Sequence, residues 1–361
     1  MMNSLYIKNF KNVKEMTIPQ LRRVNLVVGK NCVGKSSLLE AIAIYLSKGD
    51  ESTMKEILAD RGEYFDFRNV DSGKAFQTKG HYLSFFREWE ENYSKDFYIA
   101  VGENPQDAIK IRQVYIQRYK EAEGNVIVKV FAEEELNGES ADAINGQGIV
   151  VENKGRVSVI SYERESSSML YARNSKPFQM IHTLDFDSEM NAILFDKVSL
   201  STDEKYVIEA LNIINPQIDR ISFVSEGERN RARIPVVSLK SNGKRVKLSS
   251  MGDGVNRVLT IILSLLNAKG NVLLLDEFET GLHYSVQKRL WEIIFMLSEK
   301  LNIQVIVTSH SSDCLRSFAK VNVTGDGMLI RLEERKAGIF PVCYTDNDDI
   351  EFAADNDIEL R

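Results

Sequence analysis

Cysteine is scarce in this 361-residue chain, with only Cys32, Cys314 and Cys343, which lie far apart and form no CxxC pair and no zinc-like spacing with histidine. A disulfide framework or structural zinc is therefore not expected, and a reducing cytoplasm fits best. Long apolar runs are missing too. No stretch reaches the roughly 18 residues of a membrane span. The first ten residues lack the basic segment, apolar core and small-residue site of a secretory leader, so the chain is expected to be neither secreted nor membrane-embedded. Positive charge is not in excess. A formal net charge of -6 argues against a surface dominated by phosphate-neutralising Lys and Arg, as a dedicated duplex-DNA binder would have, although local basic strips stay open. Internal repeats and sustained heptads are absent as well. What is left, 43% hydrophobic and 27% charged, is a globular composition, large enough for one big domain or two modest ones.

The ends of the chain carry the clearest patterning. Residues 5–7 and 13–18 alternate apolar and polar side chains around a turn and predict a β-hairpin; residues 24–28 predict a short buried strand. Residues 36–47 then carry apolar side chains at helical spacing, Leu38, Leu39, Ile42 and Tyr45, before Lys48 and Gly49 close the run. From 51 to 199 the helical periodicity is lost among aromatic-rich segments (64–67, 81–89), short strands such as 125–131, and a Gly/Asn-rich stretch at 137–148, which reads as an insertion. A helix is predicted over 202–214 and strands over 221–224 and 234–239. Residues 254–267 form an almost wholly apolar, hence buried, helix. Strand 271–276, helix 286–300 and strand 303–308 follow, and this alternation implies a parallel sheet with functional residues at the C-terminal strand ends.

Two strand ends and the first loop carry the chemistry. Gly29-Lys30-Asn31-Cys32-Val33-Gly34-Lys35-Ser36 satisfies G-x-x-x-x-G-K-[ST] between a predicted strand and a predicted helix. The glycines let backbone N–H groups converge on phosphates, Lys35 reaches the β- and γ-phosphates of ATP, and the Ser36 hydroxyl ligates Mg²⁺. Asn31, Gly34, Lys35, Ser36 and Ser37 are the candidate nucleotide contacts. In the run Asn271-Val272-Leu273-Leu274-Leu275-Asp276-Glu277, a buried strand would deliver Asp276 to the Mg²⁺ shell and Glu277 to the attacking water. Read alone, those two carboxylates could equally cap a core strand. Ser309-His310 ends the next strand, where a histidine can bond the γ-phosphate or the lytic water. Between these motifs lies Leu248-Ser249-Ser250-Met251-Gly252-Asp253-Gly254, whose hydroxyls and free helix N–H groups suit an anion. The first loop already serves the chain's own phosphates, so this anion is assigned to a second subunit's ATP.

The order of phosphate loop, long insertion, LSSMGDG, LLLDEFETGLH and VIVTSHS resembles the ABC-type ATPases related to RecF, SMC proteins and the OLD (overcoming lysogenization defect) nucleases, specifically their stand-alone AAA15/AAA21-type bacterial members. The segments IKNFKNVKEMTI and DNDIELR look similar to that group as well, whereas about residues 60–200 are barely constrained. The resemblance implies a homodimer of ATPase heads with two ATPs sandwiched between one copy's phosphate loop and the other's signature. Ser250 and Gly252 match the signature, with Asp253 in place of the usual Gln or Glu. Glu277 matches the catalytic glutamate, residues 279–283 the loop after it, and His310 the switch histidine. Phe278 stands where relatives often have Pro, and the glutamine that commonly joins the Mg²⁺ shell has no counterpart that can be placed.

The fold expected is thus α/β: an ABC-type head over 1–50 and 200–330, interrupted by an inserted α+β lobe at 51–199 and followed by an extension at 331–361. The resemblance implies an ATP-driven switch in a bacterial anti-phage defence system that controls a separately encoded effector, for instance a nuclease. The 51 residues after His310 are too few for a fused TOPRIM nuclease. A RecF-like ATPase acting on DNA directly and a scaffold with little turnover are the alternatives; a transporter subunit is not expected. Arg229, Arg231 and Arg233 read either as a solvated edge strand or as a phosphate-tracking face. Cys32 reads as a small tolerated side chain or an oxidisable one, and the acidic run at 346–357 as a flexible tail or a docking segment.

Overall fold

The computed structural model of the chain describes residues 1–62, 82–121, 125–162, 176–183, 188–225, 233–323 and 325–355. β1 (Leu5–Phe10) and β2 (Val13–Ile18) pair as the expected antiparallel hairpin, Leu5 opposite Ile18. β3 (Val24–Val28) leaves that sheet for another and runs through the phosphate loop into α1 (Lys35–Leu46). α2 (Glu51–Asp60) follows, capped by Asp50, whose carboxylate accepts the N–H groups of Ser52 and Thr53. Next come β4 (Ile99–Gly102), β5 (Ile109–Lys120), β6 (Val126–Phe131), a single turn α3 (Gly138–Asp142), β7 (Gly146–Asn153) and β8 (Arg156–Ser161). These strands are built onto the open edge of the hairpin. β4 pairs with β1 through Ile7 and Val101, giving the antiparallel order β2-β1-β4-β5-β7-β8, with β6 on β5.

The rest of the chain completes a second, mostly parallel sheet and its helices. β9 (Phe178–Ile181) and α4 (Ser188–Val198) are followed by α5 (Glu204–Ile214), then by a three-stranded unit of β10 (Ile218–Ser225), β11 (Arg233–Leu239) and β12 (Arg245–Lys247). α6 (Asp253–Asn267), β13 (Val272–Leu275), α7 (Tyr284–Lys300), β14 (Gln304–Ser309), α8 (Ser312–Val321), β15 (Gly327–Arg335), β16 (Gly338–Tyr344) and α9 (Asn347–Asp355) close the fold. The sheet order is β16-β15-β3-β14-β13-β9, parallel throughout except for β16. β9 pairs with β13 along its whole length, Phe178 with Val272 to Ile181 with Leu275, and α4 packs on α6. Residues 178–198, within the stretch expected as an insertion, therefore belong to the layers of this central sheet.

Two cores explain why the central strands read as unbroken apolar runs. Val24, Leu26 and Val28 of β3, Leu273 and Leu275 of β13, and Val305 and Val307 of β14 face a core shared with α5, α6 and α7. Val27, Val272, Leu274 and Ile306 face the other way, into a core with α1 and the antiparallel sheet. A parallel strand covered on both faces has no solvent side to mark with polar residues. α9 carries residues 347–355 of the acidic run and packs on the body of this chain, with Ile350, Ala353 and Ala354 buried in the first core; residues 356 and 357 lie outside the described residues. Arg233 is also engaged: its guanidinium lies 2.8 Å from Asp196 and its N–H donates to Glu189, while Arg229 and Arg231 lie outside the described residues. No helix among the described residues is long and apolar enough to cross a membrane.

Candidate active site

β3, β13 and β14 lie side by side in the parallel sheet, so their C-terminal ends open onto one place. A cleft of about 930 Å³ there is lined by Asn31, Gly34, Lys35, Ser36, Ser37, Asp276, Glu277 and His310, among others. These residues come from three separate stretches of sequence. Ser250, Gly252 and Asp253 do not line it; they sit exposed at the start of α6, and a side chain at Gly252 would meet nothing within 4 Å.

The phosphate loop owes its shape to two glycines. Gly29 has φ 151 and a Cβ there would come within 2.7 Å of the Leu332 carbonyl; Gly34 has φ 93 and a Cβ would come within 2.9 Å of Asn12. Asn12, in the hairpin turn, donates to the Cys32 carbonyl at 3.0 Å and so ties the loop to the hairpin. Cys32 itself is exposed, a free thiol at φ 62. Gly34 gives α1 no side-chain cap, which leaves the first-turn N–H groups for an anion. The Lys35 ammonium is curled into the loop, donating to the carbonyls of Gly29 at 2.7 Å and Lys30 at 2.9 Å. Burial lowers its pKa, against the pull of Glu279, Asp276 and Glu277. A bound polyphosphate would reverse that balance.

Three contacts fix the carboxylate pair. Thr308 of β14 donates its hydroxyl to Asp276 and accepts the Glu277 N–H at 2.9 Å. Glu277 is held at φ 48, a left-handed conformation that costs a non-glycine residue energy and persists only when its surroundings enforce it. The Thr280 hydroxyl donates to the Glu277 carboxylate at 3.1 Å. Phe278 turns inward and stacks on Trp291 of α7, with centroids 4.4 Å apart, which anchors the turn without a proline. His310 donates its backbone N–H to Glu279 at 2.8 Å, and its Nδ1 lies 3.0 Å from the same oxygen. With Nδ1 occupied, Nε2 is the ring nitrogen left for a ligand. A Ser36 hydroxyl and an Asp276 carboxylate in one cleft are hard oxygen donors and fit Mg²⁺, which takes the remainder of its shell from phosphate and water.

Several residues at the site left little trace in the sequence. Glu40 of α1, 2% exposed, holds Lys11 at 2.6 Å and also Arg61, and both cations line the cleft. Arg257 is the one charged residue in the middle of the apolar helix α6. Fully buried, it donates to the carbonyls of Asp276 (2.7 Å), Glu277 (3.0 Å) and His182 (3.1 Å). A lone cation on an otherwise core-facing helix was the signal available for it. Arg257→Met should destabilise the fold by about 3 kcal/mol, since each buried carbonyl left without a donor costs roughly 1–3 kcal/mol. Urea unfolding measures it, and a midpoint equal to that of wild type would show the guanidinium to be dispensable.

Parallel strands that deliver a glycine loop, a lysine and a carboxylate pair to one cleft define an α/β phosphate-loop ATPase head. The pattern of the AAA_15 family, an AAA ATPase domain, matches residues 1–315. An ATP/GTP phosphatase of Helicobacter pylori is 24% identical over 349 residues, spanning 89% of this chain and 88% of that protein. The DNA replication and repair protein RecF of Clostridioides difficile is 27% identical over 135 residues, so the match spans 37% of this chain and about a third (32%) of RecF. An SMC head solved with the C-winged helix domain of ScpA shares the fold, with a TM-score of 0.53 over 97% of this chain and 99% of that one at 14% identity. The chain belongs to the AAA_15 family.

Proposed function

We propose that the cleft binds ATP with Mg²⁺ and hydrolyses it, in a composite site completed by Ser250, Gly252 and Asp253 of a second copy. The observation that carries this reading is the split of the motifs: loop, carboxylates and histidine share a cleft, while Ser250, Gly252 and Asp253 stand exposed outside it at the start of α6. Lys35 would leave its loop carbonyls for the β- and γ-phosphates, and Ser36 and Asp276 would hold Mg²⁺, which would neutralise phosphate charge. Glu277 accepts a proton from the attacking water, and His310, oriented by Glu279, bonds the γ-phosphate or that water.

Mixing two inactive variants tests the shared geometry. Gly252→Arg should bind ATP but block closure, because its side chain fills the space assigned to the partner's γ-phosphate. Lys35→Ala should fail to bind. A heterodimer of the two has one intact composite site, so the mixture should recover turnover that neither variant shows alone. Mixtures that exchange subunits yet stay inactive would sink the two-copy site.

The cycle of closing and opening is the output of a switch, read by a separately encoded effector, for instance a nuclease, in defence against phage. Support for this comes from the resemblance to stand-alone defence ATPases. The chain purified alone should therefore leave DNA and RNA intact with Mg²⁺ and ATP. Robust cleavage that survives Lys35→Ala would overturn it. The partial identity to RecF favours a second reading, direct action on DNA, which requires a salt-sensitive DNA affinity that rises with ATP.

A further inference from the structure

The cleft has lining that the phosphate chemistry does not use: Phe86, Arg87, Glu88 and Trp89 face it alongside the phosphate loop. Trp89 is 60% exposed. A scattered exposed aromatic needs no explanation, but the backbone that carries this one is held in place. Glu88 and Trp89 both have φ 57, consecutive left-handed residues within the short turn Arg87–Trp89. The turn is fastened before and after. Phe86 is buried, stacks on Phe97 and bridges to Phe10 of β1. The neighbouring Lys11 N–H donates to the Phe85 carbonyl at 2.9 Å, and Asn12 beside it holds the Cys32 carbonyl of the phosphate loop. Beyond the turn, the fully buried Gln113 donates to the Glu90 carbonyl at 2.7 Å. These contacts therefore set the backbone that carries Trp89 at a defined place relative to the phosphate loop, with its ring left to solvent. Strained backbone that displays an apolar ring in a ligand-sized cleft marks a contact surface.

We propose that Trp89 is the base platform of this site, on which the purine of the bound nucleoside triphosphate stacks. The proposal rests on the cleft being the nucleotide site. Stacking uses a π-face that every base possesses and makes no reading of exocyclic groups. Adenine and guanine should consequently be taken alike, and pyrimidines held more weakly because they offer less ring to cover.

Calorimetry of wild type and Trp89→Ala with MgATP, MgGTP and inorganic tripolyphosphate tests the proposal. Loss of the stack should weaken both nucleotides about tenfold and leave tripolyphosphate unchanged, with Trp89→Phe recovering most of the affinity. Fluorescence gives an independent reading. The chain has two tryptophans, and the other, Trp291, is fully buried against Phe278, so it adds a constant background. Nucleotides should quench Trp89, and tripolyphosphate should displace them without quenching. Equal ATP affinity in wild type and Trp89→Ala would overturn the platform and leave the nucleotide cleft standing. Equal losses for ATP and tripolyphosphate would also overturn it, by showing a damaged loop instead of a lost stack. Failure of the wild type to bind either ligand would overturn the cleft reading and this proposal with it.

Discussion

Lys35→Ala should lose ATP affinity by roughly 100- to 1,000-fold while keeping a wild-type melting temperature. The side chain supplies a positive charge and donors for the phosphates, and charge-assisted bonds of this kind contribute about 1.5–3 kcal/mol each. Without ligand the ammonium does little for the fold. It is desolvated enough to lower its pKa, and it spends its donors on the Gly29 and Lys30 carbonyls, which lie beside an open cleft where water can replace it. A methyl group therefore removes ligand binding more than stability. Isothermal calorimetry on the folded variant gives the result directly. An unchanged dissociation constant would remove the phosphate-loop assignment, and with it the roles given to every other residue in the cleft.

Glu277→Gln should do the opposite, keeping ATP and losing turnover by a factor on the order of 10²–10⁴, the range that a positioned general base supplies. The amide retains the length and can still accept from the Thr280 hydroxyl, and the backbone is set by Thr308 and Arg257 independently of the side chain's charge. What disappears is the ability to take a proton. ATP that binds but is not consumed should hold two heads together, visible as a nucleotide-dependent dimer by light scattering. Phosphate release at a near wild-type rate would move the base role elsewhere, with His310 the next residue to remove.

The head was legible because its strands and motifs are local. Residues 24–28 and 271–276 read as buried strands for the reason the two cores supply, apolar cover on both faces, and the G-x-x-x-x-G-K-[ST] run fixes the loop by itself. The stretch between 51 and 199 was not, and β5 shows why. Ile109, Ile111 and Gln113 are buried on one face, then Val114 and Ile116 on the other, in a small separate cluster with Val150. The switch of face breaks the alternation, and the buried glutamine hides its last beat. α4 is hidden in the sequence for a similar reason. Asn191, Leu194, Phe195 and Val198 have helical spacing, but the run opens on a buried asparagine that donates to Thr260 of α6. Among the described residues β9 pairs with β13 alone, nearly a hundred positions away, so no nearby residue announces it. At the cleft, Lys35, Ser36, Asp276, Glu277 and His310 could be named from motifs; Glu40, Arg257 and Trp89 owe their places to tertiary packing alone.

α6 starts at Asp253, in the loop assigned to a partner's phosphate, and one turn later Arg257 grips the carbonyls of Asp276 and Glu277. Helices are stiff over a single turn of about 5.4 Å, and this one is clamped by eleven buried residues. Mechanically it is a short crank. Force on its exposed tip would be passed along that stiff turn to the guanidinium, and from there to the peptide that carries Glu277. In the proposed two-copy site, contact at the tip and water activation in the chain's own cleft would then be strokes of one linkage, and by reciprocity occupancy of the cleft would change how readily the tip engages.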